Sequence, residues 1–455
     1  MHRSLGRLTL LLSLAALPSY SQLTLEQAVA QAASKYPAVQ ASLEQVAAAA
    51  AGINLARTAY LPRADILAQV NRSTHNNVFG MLLQQQTISP ISGPVLRTNS
   101  LDNVWGTALG ALVSWEPFDF GLRQANVVVA ESGRRRAETN AGVTKFQVGA
   151  AAADIFLTML AAQQTVVAAK SGVERARVFD QTVQALVKNE LRPGAEASRT
   201  RAEVAIAETQ VIRAEQAVEE SRAALSQLVG IPPADIKLQP ANLLELPTAP
   251  PPAAPGPANH PVAIAQTAAI EEVKARERAL DRSYYPRFLL QGTTYARGTG
   301  VQADGTTGNA ASGLGPNIQN WGLGMTVMFP AFELPSIRIR KEIEAARERS
   351  EAARYKQIVQ DINGQVDKAA ATLAGARRVA LNTPTVLEAA RVAEQQAMAR
   401  YKAGLGVILE VAEAQRLLAQ AEIDDSLARL SVWRAMLGLA AAQGDLAPFL
   451  QVAGK

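Results

Sequence analysis

The sequence sets out one plan twice, and that duplication governs what the chain can fold into. Tyr36-Pro37 through Leu61-Pro62 recurs as His260-Pro261 through Tyr285-Pro286, with both prolines displaced by one offset. Between the prolines both copies are Ala-rich and helical in pattern, and a short alternating run follows each second proline. Further on, Trp105-Gly106 matches Trp321-Gly322, Phe118-Asp119-Phe120 matches Phe332-Glu333-Leu334, and Gly194 matches Gly406. The drifting offset implies small insertions. Ile231 to Asn259 joins the copies, and its nine prolines forbid helix through its length. The division expected is a first repeat over 22–230, a Pro-rich linker over 231–259, a second repeat over 260–445 and a tail over 446–455.

Each copy predicts the same elements. A helix (about Leu25 to Tyr60; about Pro261 to Ser283) stops at a proline. Two short strands follow, separated by a polar loop rich in Gly, Asn and Ser. A very long helical region comes next (about Arg123 to Asn189; about Ser336 to Lys402), then a glycine turn and a closing helix. About 67 residues from Arg123 carry no proline, and as one helix they would reach on the order of 100 Å. Such a length, rich in Ala with scattered charge, demands coiled-coil partners.

The strands have the pattern of barrel staves. From Trp105 the odd positions are Trp105, Thr107, Leu109, Ala111, Val113 and Trp115, and the even ones are Gly106, Ala108, Gly110, Leu112 and Ser114. In the second copy Trp321, Leu323, Met325, Val327 and Phe329 alternate with Gly322, Gly324, Thr326 and Met328. One face is apolar with Trp105, Trp115, Trp321 and Phe329 as an aromatic girdle; the other is small or polar. The partner strands, Ala64 to Ser73 and Arg287 to Tyr295, set Asp65, Gln69 and Asn71 against Ile66, Ala68 and Val70. A half-buried strand of a soluble sandwich fits the same alternation. Four strands cannot close a barrel, since the smallest bacterial barrels need about eight. An open edge is intolerable in lipid, so several chains must contribute.

Residues 1–21 read as a signal peptide: a basic start (His2, Arg3, Arg7), the apolar run Leu8 to Leu17, and Ser19 and Ser21 before a cleavage site. No other window offers the unbroken apolar stretch of a membrane helix. The chain has no cysteine, which removes disulfides, thiol chemistry and a lipid-anchor cysteine. A net charge of +5 is small for 455 residues and argues against a nucleic-acid partner. The three histidines (2, 75 and 260) lack metal-ligand spacing, and neither a phosphate loop nor Gly-x-Ser-x-Gly is present. No enzyme, metal or cofactor is expected.

Taken in order, the duplicated halves, the Pro-rich linker and the glycine-broken coiled coils closely resemble the TolC-type outer membrane factor family. Local marks are Pro62 and Pro286 at the strand starts, Trp115-Glu116-Pro117-Phe118-Asp119-Phe120-Gly121 at a strand end, and Ala399-Arg400-Tyr401-Lys402-Ala403-Gly404 followed by Glu410-Val411 and Ala414-Gln415. The resemblance covers essentially the whole mature chain. It implies a mainly α fold with a membrane β-barrel: a homotrimer whose protomers each give four strands to one twelve-stranded barrel, continued by a periplasmic α-helical tunnel. It implies an outer-membrane, lipid-embedded channel of a tripartite efflux or type I secretion system, a passive conduit opened at its periplasmic tip. A periplasmic adaptor would meet the tip turns at Pro193, Gly194, Gly404 and Gly406, and would link them to an inner-membrane pump.

The family's gate tyrosine falls on Tyr401, and its two gate aspartates fall on Glu410 and Glu413. An i, i+3 pair shares one helix face, and threefold symmetry would make it two acidic rings. In the first copy the corresponding residues are read as Thr200 and Glu203, with Thr200 in place of an aspartate. Gly406 stands where some members have an arginine. The rival readings are a non-conducting periplasmic coiled-coil adaptor or scaffold, and a secreted enzyme with a helical body. Drugs, metal ions and polypeptides remain equally open as cargo.

Overall fold

The structure is a computed structural model that describes residues 22–80, 82–83, 93–97, 99–247 and 256–454. The expected signal peptide and the most proline-dense part of the linker, 248–255, lie outside the described residues. The chain divides into two compact units. One is built from the stretches up to Ala41, Gly142–Ala263 and from Ile358 on; the other from Ser42–Ala141 and Ile264–Gln357.

The element order repeats as the sequence predicts. The first copy contains α1 (Leu25–Lys35), α2 (Pro37–Thr58), β1 (Arg63–Thr74), β2 (Asn103–Phe118), α3 (Leu122–Lys188) and α4 (Gly194–Val229). The second contains α5 (Pro261–Arg282), β3 (Arg287–Thr299), β4 (Ile318–Met328), α6 (Leu334–Lys402) and α7 (Ile408–Gln443), with α8 (Ala447–Ala453) after it. Among the described residues, three short 3₁₀ turns lie between α4 and α5.

One expected helix is two. Tyr36 is extended (φ −61, ψ 132), so α1 ends and α2 restarts at Pro37. The Pro37 ring disfavours helical backbone at the preceding residue and has no N–H to continue the ladder. Thr24 and Gln27 cap the start of α1 reciprocally.

In the helical unit, Phe156, Leu157, Met159 and Leu160 of α3 are fully buried with Trp433 and Met436 of α7, Phe449 of α8 and Leu225 of α4. The joining segment enters this core. Ile236, Leu238 and Leu243 are buried, Leu238 pairs with Leu23, and Trp433 Nε1 donates to Glu245 O at 2.8 Å. Helix α3 carries one apolar stretch long enough to cross a membrane, but Asp154 interrupts it and pairs with Arg434 of α7 at 2.8 Å. Its large side chains Phe156, Leu157, Met159 and Leu160 are buried in the bundle core. Helix α6 runs through Pro384, where Thr383 Oγ1 donates to Asp425 Oδ1 of α7 at 2.9 Å and reaches Ala380 O at 3.5 Å. The carbonyl that proline strips of its helical donor is thereby approached by a hydroxyl.

The second unit carries one antiparallel sheet in the order β1-β2-β3-β4. All four strands run longer or shift slightly from their expected ends. The register pairs Ile66 with Ala111, Ala68 with Leu109, Val113 with Gly292, Trp115 with Leu290, and Leu290 in turn with Met325. Directly paired residues share a face, so Ile66, Val70, Leu109, Val113, Trp115, Trp321, Leu323, Met325 and Val327 form one apolar surface. Large side chains there lie open: Ile66 is 84% exposed and Trp321 83%. The opposite face carries Asp65, Gln69, Asn71, Gln291, Thr293, Arg297 and Asn320 among glycines.

Candidate functional site

The expected tip lies where α3 turns into α4 and α6 turns into α7. Both turns are built alike. Glu190 N–H donates to Val187 O and Leu191 N–H to Leu186 O, each at 3.0 Å; Gly404 N–H donates to Tyr401 O at 3.0 Å and Leu405 N–H to Arg400 O at 2.9 Å. These are paired Schellman bonds, whose residue after the helix must be left-handed. Gly404 takes that place with φ 76, and Glu190 takes it with φ 59. The next helix starts alike too, with Glu196 N–H on Pro193 O (3.0 Å) and Glu410 N–H on Val407 O (3.1 Å).

That backbone correspondence corrects the register read from glycines. Counting from Gly194 as the equivalent of Gly404 makes Thr200 the first-copy counterpart of Glu410 and Glu203 that of Glu413. The hydrogen bonds instead align Glu190 with Gly404, so the counterpart of Glu410 is Glu196 and that of Glu413 is Arg199. Gly194 opens α4 with ordinary helical backbone, and a Cβ there would meet nothing within 4 Å. Pro193 is the N-cap of α4. At Gly406, by contrast, a Cβ would sit 3.2 Å from Tyr401 N and 3.3 Å from Arg400 Cβ.

Tyr401 is the centre of the arrangement. Its side chain is 1% exposed and packs with Phe179, Val183, Ile408 and Val411, its ring edge-to-face on Phe179 at 5.3 Å. The hydroxyl donates to Glu196 Oε2 at 2.8 Å, which ties the end of α6 to the start of α4. Arg192 lies over the Tyr401 ring at 4.7 Å, donates to Tyr401 O at 3.3 Å and approaches Glu196 at 3.9 Å. Burial, then the bond to Glu196, pushes the Tyr401 phenol up to about 12, so it stays a donor at neutral pH.

The other expected residues fall around this cluster. Thr200 is buried in the α3–α4 hairpin, donating to Asp180 Oδ1 at 2.5 Å. Glu410 and Glu413 are largely open, 3.8 Å from Arg400 Nε and 3.9 Å from Arg416 respectively. Arg416 also forks onto Glu203 at 2.6 and 2.8 Å, joining α7 to α4. Arg192, Glu196, Phe179 and Asp180 were not singled out from sequence. A first-turn glutamate at matched positions in both copies was the available signal.

The girdle residues separate into two bands within the sheet unit. Trp105 and Trp321 lie toward the loop end, Trp105 under the Arg72 guanidinium at 5.2 Å. Trp115 and Phe329 lie at the helix end. There Trp115 Nε1 donates to Tyr60 O (3.1 Å), and Phe118, Phe120, Tyr285 and Phe288 stack at 4.6 to 6.2 Å. Asp119 caps α3 in this band, accepting from Arg123 N–H at 2.7 Å and from Arg123 Nε at 3.0 Å. Bands at the two ends of an exposed apolar face suit the two interfaces of a bilayer.

The sequence profile of the outer membrane efflux protein family matches residues 28–231 and 258–445. No curated protein sequence matches the chain. Among solved structures, the fold is similar to that of CusC, in work on folding and transmembrane channel formation (TM-score 0.74, 14% identity, covering 92% of each chain). It is similar to the CmeC outer membrane channel of Campylobacter jejuni (0.72, 16%, 92% of this chain and 85% of that one). The open state of the MtrE outer membrane channel of Neisseria gonorrhoeae is a third relative (0.67, 17%, 92% and 89%).

Proposed function

This chain belongs to the outer membrane efflux protein family, and we propose that it is the outer-membrane channel of a tripartite efflux or secretion assembly. The observation that carries the reading is the sheet of the second unit. Its outer strands β1 and β4 are each paired on one side only, and one face presents large exposed apolar side chains along its length. In a bilayer such a sheet must continue into other copies until it closes. Three copies give twelve strands, with the polar and glycine-lined face turned to the channel.

The helices of three protomers would continue that barrel into the periplasm, with the α3–α4 and α6–α7 turns at the tip for an adaptor to grip. An inner-membrane pump supplies the energy. In the closed state the Tyr401–Glu196–Arg192 contact holds the two hairpins of a protomer together, and opening swings them apart. Three copies of Glu410 and Glu413 would line the narrow tip as carboxylate rings. Their charge is partly offset by Arg400 and Arg416, so the cation preference they impose is moderate.

The test is single-channel recording of the detergent-purified protein in a planar bilayer, with and without Glu410→Gln and Glu413→Gln. A small cation-preferring current that loses its preference in the variants supports conduit and rings together. Current indifferent to both changes removes the rings. A protein that stays soluble without detergent and passes no current refutes the channel.

A further inference from the structure

The loop end of the sheet holds a feature that a passive conduit does not need. Just after β1, residues 76–78 pair with residues 94–96 in a small ribbon, and Phe79 and Gly80 turn away from it. Asn77 bridges Val95, Val78 N–H donates to Pro94 O at 2.9 Å, and Leu96 N–H donates to Asn76 O at 2.8 Å. The Asn76 side chain ties the ribbon to its own base, accepting from Ser100 N–H at 2.8 Å and donating to Asn99 Oδ1 at 3.0 Å.

This ribbon folds over the polar face of the sheet. Thr299 Oγ1 donates to Phe79 O at 3.1 Å, and a Cβ on Gly80 would touch Val104 and Thr299. The Phe79 ring sits 4.8 Å from the guanidinium carbon of Arg297. By register Arg297 pairs with Ala108 and Thr299 with Gly106, while Ala108 and Gly106 pair with Gln69 and Asn71. All six positions therefore lie on the face opposite Ile66 and Leu109. Arg297 is only 7% exposed, and among the described residues no carboxylate lies within ion-pairing distance of it. A buried, unpaired cation is costly, and the aromatic face of Phe79 recovers only part of that cost.

We infer that Phe79 and Arg297 form a second, cationic constriction at the loop end of the barrel, on its channel-facing side. The inference rests on the proposed barrel, which decides that the polar face is the channel. Three copies would set three phenyl rings and three guanidinium groups around the mouth. An anionic solute would be drawn there and a bulky one held back, independently of the periplasmic turns.

The chain has no cysteine, so one introduced thiol reports from a single position. Asp65→Cys lies on the same face as Arg297 but near the helix end, below the mouth. In whole cells, a membrane-impermeant anionic methanethiosulfonate added outside must pass the mouth to label it. Labelling is read by mass after purification. With Phe79→Ala added, the rate should rise about tenfold; with Arg297→Gln instead, it should fall about threefold as the attracting charge is lost. Ile66→Cys, on the opposite face, should stay unlabelled. Equal labelling of Asp65→Cys with and without Phe79→Ala overturns the constriction and leaves the conduit standing. An unchanged rate in Arg297→Gln overturns its cationic character, and does so even if Phe79→Ala does not assemble. No labelling of Asp65→Cys in any background, or labelling of Ile66→Cys in its place, removes the proposed channel face itself.

Discussion

Replacing Tyr401 with Phe is the sharpest probe of the tip because it deletes one atom and keeps everything else the ring does. The phenyl would still lie edge-to-face on Phe179 at 5.3 Å and beneath Arg192 at 4.7 Å. What disappears is the 2.8 Å bond to the Glu196 carboxylate. A hydrogen bond to a charged group is worth about 1.5–3 kcal/mol net. If opening breaks it, Tyr401→Phe shifts the closed-to-open ratio by about 10- to 100-fold per protomer, at about 1.4 kcal/mol per tenfold. Three protomers that open together multiply that factor. Single-channel recording should show longer and more frequent openings, and cells carrying the variant should admit large antibiotics that the parent excludes. A pH series gives an independent reading. The phenol is raised from its usual 10.0 to about 12, so its stabilising contribution is complete below pH 10 and is lost as pH rises from 10 toward 12. Parent channels should therefore open progressively across that window, and Tyr401→Phe should not respond to it. Identical openings in parent and Tyr401→Phe at neutral pH would show that the bond does not hold the tip closed.

Three further outcomes follow from the packing. Gly444→Ala should cost about 3 kcal/mol or more in thermal unfolding, since φ is +83 and the new Cβ would sit 2.6 Å from His260 Cδ2, whereas Gly194→Ala should be neutral or slightly stabilising. Burial holds the His260 imidazole below its ordinary 6.5, and its Nδ1 accepts Val262 N–H at 3.2 Å. That stability is complete above pH 6.5 and drains as pH falls toward the folded-state value, so the melting temperature should drop on acidification, and less so in His260→Gln. Asp119→Ala should destabilise by about 3–5 kcal/mol, by stripping the α3 cap and leaving the buried Arg123 guanidinium without its carboxylate; a melting-temperature loss no larger than that of an exposed pair such as Arg134–Glu138 would refute this.

Most of the architecture was legible because it rests on patterns that chemistry enforces locally. Strand alternation from Trp105 and from Trp321 survives intact in the register, since a one-residue slip would turn every apolar side chain to the wrong face. Helix α3 is visible in the absence of proline from Leu122 to Lys188, and α6 in its match to that plan, which it keeps despite Pro384. Two features escaped because competing signals were stronger than the pattern. The break at Tyr36 hides inside an Ala-rich run and depends on one pre-proline peptide. The partner of Tyr401 escaped because Glu196, 205 residues away along the chain, meets the phenol only in three dimensions.

The tip shows most clearly why residue identity is a poor guide to register. Glycine marks a turn only when the left-handed position is filled by glycine, and here one copy fills it with Glu190. A non-glycine residue pays on the order of 1 kcal/mol to sit there, a cost the Schellman bonds and the following helix absorb. The glycine that remains in that copy, Gly194, lies four residues later and serves no backbone need, so aligning on it slides the repeat. Once the hydrogen bonds set the register, the two turns present the same acidic residue at the third position of the following helix, Glu196 and Glu410. Only Glu196 accepts a phenol hydrogen bond, because Tyr401 exists in one copy and its counterpart in the other is Val187; Glu410 has the 3.8 Å approach of Arg400. The duplication thus supplies two equivalent carboxylates, and the asymmetry between Tyr401 and Val187 decides that one ties two hairpins together while the other stays largely exposed beside Arg400.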